Sequence, residues 1–350
     1  MQQRKRSTLK DLAQSLGVHF STVSRAINPA TRHMISADVA RRVLEAAAEH
    51  GYRPNRMASS LRTQRSHTIG VMLPDISNPV YPPIVLGIEK VLSQNGYVAL
   101  VANAGADRAQ QRFVVDQMLA RQVEGLILAT VTRRDPVLAH CIADGIAVIT
   151  VNRSAEKGEV PGVVSDDRLG LRLTVDHLAG LGHRHIAHIA GPQTLSTGYL
   201  RKQGYVAAMK ARGLEPRVVP AAAFTRECGR AACAAILDQF PEVTAIAAGN
   251  DLMALGCYDA LRAARRRCPQ DISVVGHDDM PLADMLAPPL TTIRIALHEM
   301  GAQAAQLLLD HIHDRHSGAG RIVLPPELVV RGSTAAPRKD TGERVKRTRK

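Results

Sequence analysis

The sequence predicts an α-helical unit carrying a helix-turn-helix, followed by an α/β body of two lobes, each built on a doubly wound parallel sheet. Three observations support this fold class. The first 50 residues contain three apolar patterns at helical spacing. From Ile69 onwards, short apolar runs alternate with helical patterns. The formal net charge of +13 lies at the two ends of the chain, so the body between them is neutral.

The helix-turn-helix is predicted from two short helices about a four-residue turn. Thr8 can cap a helix over Leu9 to Leu16, which Gly17 ends, and a second helix follows within Val18 to Asn28. In such a unit the second helix enters the DNA major groove by its N-terminal end. An ordinary helical hairpin with a solvated face is the alternative interpretation.

The side chains predicted to face outward on the second helix suit the edges of base pairs. Ser21 and Thr22 offer hydroxyls for bases or phosphates, and Phe20 can touch a thymine methyl. Arg25 can bond to guanine O6 and N7, and His19 begins the same outward face.

The charge distribution supports nucleic-acid binding by the first domain. Residues 1–66 carry a net charge of +8 and residues 335–350 carry +5, and the segment between is balanced. No run of about 18 apolar residues and no signal peptide is found, so we expect a cytoplasmic protein without a membrane span. The five scattered cysteines include no CxxC pair, which argues against zinc and against a disulfide framework.

The remaining patterns divide the chain. Ser36 can cap a third helix over Ala37 to His50, and the residues after Pro54 can form about two helical turns. The later strand and helix patterns exceed one doubly wound sheet, so we divide them into two lobes with a cleft between. The predicted domains are a headpiece at 1–53, a hinge helix and linker at 54–66, a core at 67–333 (lobe 1 about 67–164 and 293–324, lobe 2 about 165–292 and 325–333), and a disordered basic tail at 334–350.

Seven motifs, in order, resemble those of the lactose and galactose repressor (LacI/GalR) family of bacterial transcription regulators. They extend from Thr8 to about Gly332 and include TLKDLAQSLGVHFSTVSRAIN, GYRPNRMASSLR, TIGVMLPDISNPVY, AGNDLMALG and DISVVGHDDMPLADMLAPPLTTI. The resemblance implies a periplasmic-binding-protein-like core that follows the headpiece along the chain. It also implies a hinge helix in which Leu61 wedges into the minor groove.

The helix pattern and the resemblance together give two sets of candidate site residues. The DNA-binding candidates are Thr8, His19, Phe20, Ser21, Thr22, Arg25, Asn28, Asn55, Arg56, Ala58 and Leu61. The effector-binding candidates are Asp75, Tyr81, Arg153, Thr197, Arg201, Asn250 and Asp278. One departure is His277, which stands where the family commonly has an aromatic residue.

These residues predict a sequence-specific transcriptional regulator, a repressor, that binds a near-palindromic DNA operator as a homodimer. We expect the affinity of this regulator for its operator to be controlled by a small polar metabolite, a sugar or a sugar acid. The two arginines of the cleft favour the sugar acid, because each can bind a carboxylate. We expect no enzymatic activity, no catalytic residues, no cofactor, no metal and no membrane partner. In an extended chain the side chains of His185 and His188 point to opposite faces. This argues against a metal site formed by these two residues with His183. The alternatives are a solute-binding protein without a regulatory role and a metabolic enzyme, for which no catalytic constellation is found.

Overall fold

The computed structural model describes residues 7–28, 31–52, 65–156, 160–313 and 320–338. The chain forms two compact units that divide between Ser66 and His67. Four hinge candidates, Asn55, Arg56, Ala58 and Leu61, lie outside the described residues. Within the described residues, no helix is long and apolar enough to cross a bilayer.

The N-terminal unit is a small helical bundle whose ends follow local sequence signals. Thr8 Oγ1 accepts from Asp11 N–H over 3.2 Å, and the Asp11 carboxylate accepts from Thr8 N–H over 2.8 Å, which is a capping box. Gly17 ends the first helix with φ of 64°, in the left-handed region that glycine tolerates. The helices are α1 (Leu9–Leu16), α2 (Phe20–Ile27) and α3 (Ala37–Glu49), with a 3-10 turn at Arg32–Met34.

The core of this unit is narrow and made mostly of small residues. It is centred on Leu12, Val23 and Val43, and Ala26 and Ala47 fill the space between the helices. Together these residues exclude water from one face of each helix.

The C-terminal unit contains two six-stranded sheets, one in each lobe. The first has the order β11-β5-β4-β3-β1-β2 and is parallel throughout, and the second has the order β12-β10-β9-β8-β6-β7. The first-lobe strands are β1 (Thr68–Leu73), β2 (Val98–Asn103), β3 (Gly125–Leu128), β4 (Val148–Val151), β5 (Gly162–Ser165) and β11 (Arg321–Leu324). The second-lobe strands are β6 (Ile186–Ala190), β7 (Arg217–Pro220), β8 (Ala245–Ala248), β9 (Ser273–Asp278), β10 (Thr291–Arg294) and β12 (Glu327–Val329).

Helices accompany both sheets, because parallel strands need crossover connections. The first lobe has α4 (Tyr81–Gln94), α5 (Arg108–Leu119), α6 (Pro136–Ala143) and α11 (Leu297–Ile312). The second lobe has α7 (Asp167–Gly180), α8 (Ser196–Ala211), α9 (Arg226–Gln239) and α10 (Asp251–Ala263). In the first lobe α4 and α11 approach so closely that a side chain at Gly87 would collide with the His298 carbonyl.

The chain passes between the lobes three times, after β5, after β10 and after β11. One strand departs from the predicted parallel arrangement: β12 is antiparallel to β10. The physical reason is the direction of the crossovers. The chain leaves the second lobe at the end of β10 and returns to it at the start of β12. These two neighbouring strands therefore run in opposite directions.

The segment that follows β12 is ordered further than the sequence predicts. Ser333 is fully buried, and the Ala335 carbonyl accepts from the Ser273 hydroxyl over 3.1 Å and lies 2.9 Å from His183 Nε2. Arg338 pairs with Asp271 over 2.9 Å. The prediction of disorder from residue 334 is therefore wrong for residues 334–338, where backbone bonds to the end of a sheet replace apolar packing. Residues 339–350 lie outside the described part of the chain.

Candidate functional site

Helix α2 exposes Phe20 and Arg25, two of the side chains that the sequence predicts to read DNA. Phe20 is 51% exposed, and Arg25 in the last turn is also exposed. Ser21 and Thr22 are partly buried in the first turn. The Phe20 ring lies 5.0 Å from the His19 ring, centroid to centroid, but outside the apolar core of this unit, so its exposed side is available to a partner surface.

The N-cap residues of α1 and α2 belong to the predicted DNA-binding set. His19 is the N-cap of α2, with its Nδ1 accepting from Ser21 N–H at 3.3 Å and lying 2.8 Å from Ser21 Oγ. Thr8 caps α1, as described above, and Asn28 is the exposed C-cap of α2.

A second candidate site lies in the C-terminal unit, in a cleft where strands from both lobes end. Tyr81 begins α4, Arg153 follows β4, Thr197 lies in the first turn of α8, Asn250 follows β8 and Asp278 ends β9. This placement is expected for open α/β sheets, whose ligands bind beyond the carboxyl ends of the strands. The lining residues are Asn78, Val80, Tyr81, Asn152, Arg153, Thr197, Arg201, Phe224, Asn250 and Asp278.

Six of the seven predicted effector residues line this cleft, and Asp75 does not. Asp75 is exposed, and its Oδ1 accepts from Ser77 N–H at 2.9 Å and from the Ser77 hydroxyl at 2.6 Å. Its carboxylate therefore stabilises the turn between β1 and α4.

Arg201 is buried beneath the cleft and is largely satisfied by the protein itself. Its Nε donates to Asp167 Oδ1 over 2.7 Å, and its Nη2 donates to Asp278 Oδ1 over 3.1 Å. Its Nη1 donates to the Gly249 carbonyl over 2.8 Å. Burial opposes the charged form, but the two carboxylates raise the pKa of Arg201.

Asp278 is held in an uncommon backbone conformation by its neighbours. Its φ is 121°, and that of Asp279 is 52°. Asp251 stabilises the backbone directly after Asp279. Its Oδ2 accepts a hydrogen bond from Met280 N–H over 2.7 Å, and its Oδ1 accepts one from the Thr292 hydroxyl over 2.6 Å. Burial raises the pKa of Asp278 to about 7, against the opposing effect of Arg201.

The first lobe supplies a tyrosine, an amide and a cation to the same cleft. Tyr81 is 1% exposed, and burial raises the pKa of its phenol. Asn152 has a left-handed backbone with φ of 64°, and its side chain opposes the rise in the pKa of Tyr81. The Nε of Arg153 is buried with no hydrogen-bond partner among the described residues. A ligand oxygen would satisfy this donor, so Arg153 differs from the internally paired Arg201.

The chain is similar to known proteins over nearly its whole length. The model described as bacterial regulatory proteins of the lacI family matches residues 8–55, and the periplasmic binding protein-like domain matches residues 175–334. The transcriptional repressor CytR of Escherichia coli K12 is 32% identical over 94% of this chain and 97% of its own length. The chain belongs to the LacI family. It is a DNA-binding transcriptional regulator and not an enzyme.

Other LacI-family proteins match over similar lengths. CelR of Thermobifida fusca is 34% identical over 95% of this chain and all of its own, and the ribose operon repressor of Escherichia coli K12 is 32% identical over 93% and 99%. The Lac repressor dimer bound to operator and the anti-inducer ONPF superposes with a TM-score of 0.86 at 29% identity, covering 95% of this chain and 100% of that chain. The CelR–cellobiose complex gives a TM-score of 0.72 at 34% identity, covering 94% and 100%. Because the lacI family model and these nearly full-length matches include the headpiece, the alternatives of a transport protein and a metabolic enzyme are set aside.

Four residues of this LacI-family cleft are missed by the sequence reasoning: Asn78, Val80, Asn152 and Phe224. Phe224 belongs to the loop after β7, and its ring occupies the space where a side chain at Gly191 would stand. The Arg201 guanidinium lies 5.7 Å from the ring centroid. The short β7, which ends at Pro220, carries too weak a strand pattern to indicate that a cleft loop follows it.

The departure at His277 has a structural explanation in this LacI-family chain. The ring is fully buried against Gly170 of α7 and does not line the cleft. Its Nε2 is 3.8 Å from Asp167 Oδ1, and burial lowers the pKa of His277 well below its usual value. His277 is therefore a neutral residue behind the cleft.

Proposed function

We propose that this LacI-family protein is a repressor that binds a near-palindromic operator as a homodimer, and that a neutral sugar in the cleft changes its operator affinity. The observation that carries the sugar proposal is the internal pairing of Arg201 with Asp167 and Asp278. We also propose that it acts in the cytoplasm, where chromosomal operators lie.

The pairing argues for a neutral ligand over the sugar acid that the two arginines first suggested. Arg201 already has two carboxylate partners, so it does not attract an anion as an isolated guanidinium would. An acidic ligand would also bring its charge close to Asp278. Arg153 remains as one cation with a donor to offer, which suits a ring or hydroxyl oxygen equally well.

The polar groups of the cleft match a polyhydroxylated ligand. The Asp278 carboxylate accepts hydrogen bonds from hydroxyl groups. The Asn250 Oδ1 is used to cap α10, accepting from Met253 N–H over 3.0 Å, so the Asn250 amide NH2 group is the part that can donate to a ligand. Phe224 adds an apolar ring for the C–H face of a sugar. Among the relatives, one solved complex contains cellobiose and another LacI-family structure from Enterococcus faecium contains bound ribose.

The homodimer is supported by an exposed apolar surface on the first lobe, here called the β2 face. It consists of Leu86 on α4, Val98 and Val101 on β2, and Phe113 on α5, which are 59%, 52%, 37% and 56% exposed. Because β2 is an edge strand, this surface also presents unpaired backbone groups. A second copy of the chain would cover both, and the superposed Lac repressor is itself a dimer.

The sugar proposal is tested by calorimetric titration of the full-length protein with D-ribose, cellobiose and D-gluconate. We expect a neutral sugar to bind and gluconate not to bind. Phe224→Leu should weaken the sugar binding, and Phe240→Leu, in the same lobe but outside the cleft, serves as the matched control. Binding of gluconate alone would overturn the proposal. An operator selected from random duplexes then shows whether the bound sugar changes DNA affinity.

A further inference from the structure

Three residues lie in one row across the second sheet, at the end that faces the crossovers. Arg294 of β10 is paired in register with Asp278 of β9 on one side and with Glu327 of β12 on the other. Just beyond this row β10 passes into the first lobe, where Ile295 is part of the hydrophobic core. On the other side, β12 arrives from the first lobe. One crossover therefore begins beside Asp278, a candidate effector residue, and another ends at Glu327, one strand further along the same row.

Asp279 ties this row together through ion pairs. Its Oδ2 accepts from Arg294 Nε over 2.7 Å, and its Oδ1 lies 2.7 Å from Arg331 Nη2. Arg294 in turn donates from Nη1 to Glu327 Oε1 over 2.6 Å. The side chain of Asp279 is only 10% exposed, so its end of the network is sheltered from water.

The backbone at Asp278 and Asp279 is suited to transmit a small displacement. Both residues have positive φ, which side-chain-bearing residues seldom adopt and which is common at functional sites. Met280 is fixed on one side by Asp251, and Asp278 is fixed on the other by the ladder with β10. A displacement of the Asp278 backbone can therefore reach Asp279 through the peptide group that the two residues share.

We propose that Asp279 is a positioning residue that couples Asp278 in the cleft to the two C-terminal crossovers, through Arg294, Arg331 and Glu327. When a ligand hydroxyl draws the Asp278 carboxylate, Asp279 turns and the ion pairs at the start of one crossover and the end of the other are rearranged. The stimulus in this scheme rests on the proposed sugar binding, whereas the mechanical link between Asp278 and the crossovers is independent of it. The first crossover has its own link, since Asp167 pairs with Arg201.

The mechanical link is tested without sugar or DNA by a double-mutant cycle on the full-length chain. Hydrogen–deuterium exchange is measured in peptides that span residues 291–297 and 324–330, for the wild type, Asp278→Asn, Asp279→Asn and the double variant. We expect Asp278→Asn to change exchange there by about threefold or more in the wild-type background and to have no effect in the Asp279→Asn background. Asp259→Asn, which breaks the bidentate pair with Arg226 on α9, is the matched control and should leave these peptides unchanged.

Equal effects of Asp278→Asn in both backgrounds, or no effect in either, would overturn the proposal. If Asp279→Asn does not fold, Arg294→Gln takes its place in the cycle. This substitution removes the same Asp279–Arg294 ion pair, but at its more exposed partner. A second measurement uses cellobiose and D-ribose: Asp279→Asn should keep the sugar Kd within about threefold and lose most of the sugar-induced change in operator affinity. Failure of both sugars to bind counts against the proposed function, and the exchange cycle then still decides the coupling.

Discussion

Asp167 and Arg201 form a buried ion pair, with 2.7 Å between Oδ1 and Nε and only 3% and 4% of the two side chains exposed. Asp167 is the first residue of α7, directly after the first crossover, and Arg201 lies beneath the cleft on α8. The pair therefore joins a crossover to the effector site. It also makes Arg201 a structural residue of the second lobe as well as a candidate ligand contact.

Removal of Arg201 should destabilise the protein strongly. Arg201→Ala leaves two buried carboxylates, Asp167 and Asp278, without their cation, and breaking a buried pair in this way typically costs about 3–5 kcal/mol. Urea unfolding monitored by circular dichroism measures the loss. The double variant Arg201→Ala/Asp167→Asn should recover part of it, because one buried charge is removed.

The matched control for this prediction is Arg226→Ala, which breaks a pair whose arginine side chain is 55% exposed. Surface ion pairs contribute up to about 1 kcal/mol to stability. The control should therefore unfold at nearly the same urea concentration as the wild type. Equal losses for Arg201→Ala and Arg226→Ala would show that the buried pair has no special role.

Asp251 should give the protein a pH dependence of stability with a sign unusual for a carboxylate. Burial raises the pKa of Asp251 to about 6, whereas in the unfolded chain it titrates near its ordinary value of about 4. Its contribution to stability is therefore complete below pH about 4 and is lost as the pH rises through about 6. Asp251→Asn cannot ionise. As the pH rises from 4 to 8, its free energy of unfolding should therefore increase by roughly 3 kcal/mol relative to that of the wild type.

This difference is measured by denaturant unfolding of both proteins at several pH values between 4 and 8. Asp259→Asn is a control of opposite sign, since the hydrogen bond from Arg226 lowers the pKa of Asp259 and its contribution is lost as the pH falls. A difference between wild type and Asp251→Asn that stays constant with pH would mean that Asp251 is ionised in the folded protein.

Sequence reasoning succeeded where a local signal sets the structure. The cap at Thr8 and the left-handed glycine at Gly17 bound α1 as predicted, and short apolar runs mark the buried strands. It failed where the partner is distant along the chain. Nothing near Asp167 in the sequence indicates that it will meet Arg201, 34 residues later. The loop of Phe224 was missed because the strand before it is short and partly exposed.

The β2 face gives a prediction about the oligomer. Phe113→Glu places a charge on one of the exposed apolar side chains that a second copy would cover, so the variant should shift toward the monomer in sedimentation-velocity experiments. Ile142→Glu on α6, at a residue that is 39% exposed in the same lobe, should sediment as the wild type does. Identical sedimentation of the two variants would move the interface elsewhere.

The headpiece prediction separates base reading from phosphate attraction. Arg25 is exposed on α2, and Lys10 is exposed on α1. If Arg25 reads a guanine, Arg25→Ala should weaken binding to the selected operator by about 1–3 kcal/mol and relax the preference at one base pair of each half-site. If Lys10 touches a phosphate, Lys10→Ala should weaken binding to all duplexes evenly and reduce the salt slope by about 1.

Both headpiece variants are compared by fluorescence anisotropy on the selected operator and on a scrambled duplex, at several salt concentrations. Arg41→Ala is the matched control, because Arg41 is an exposed cation of the same unit that already pairs with Asp38 and Glu45 within α3. Arg41→Ala should change the sequence specificity less than Arg25→Ala does, and the salt slope less than Lys10→Ala does. If Arg25→Ala weakens the operator and the scrambled duplex by the same factor, then Arg25 contacts the backbone, and base reading must come from Phe20, Ser21 or Thr22 at the N-terminal end of α2.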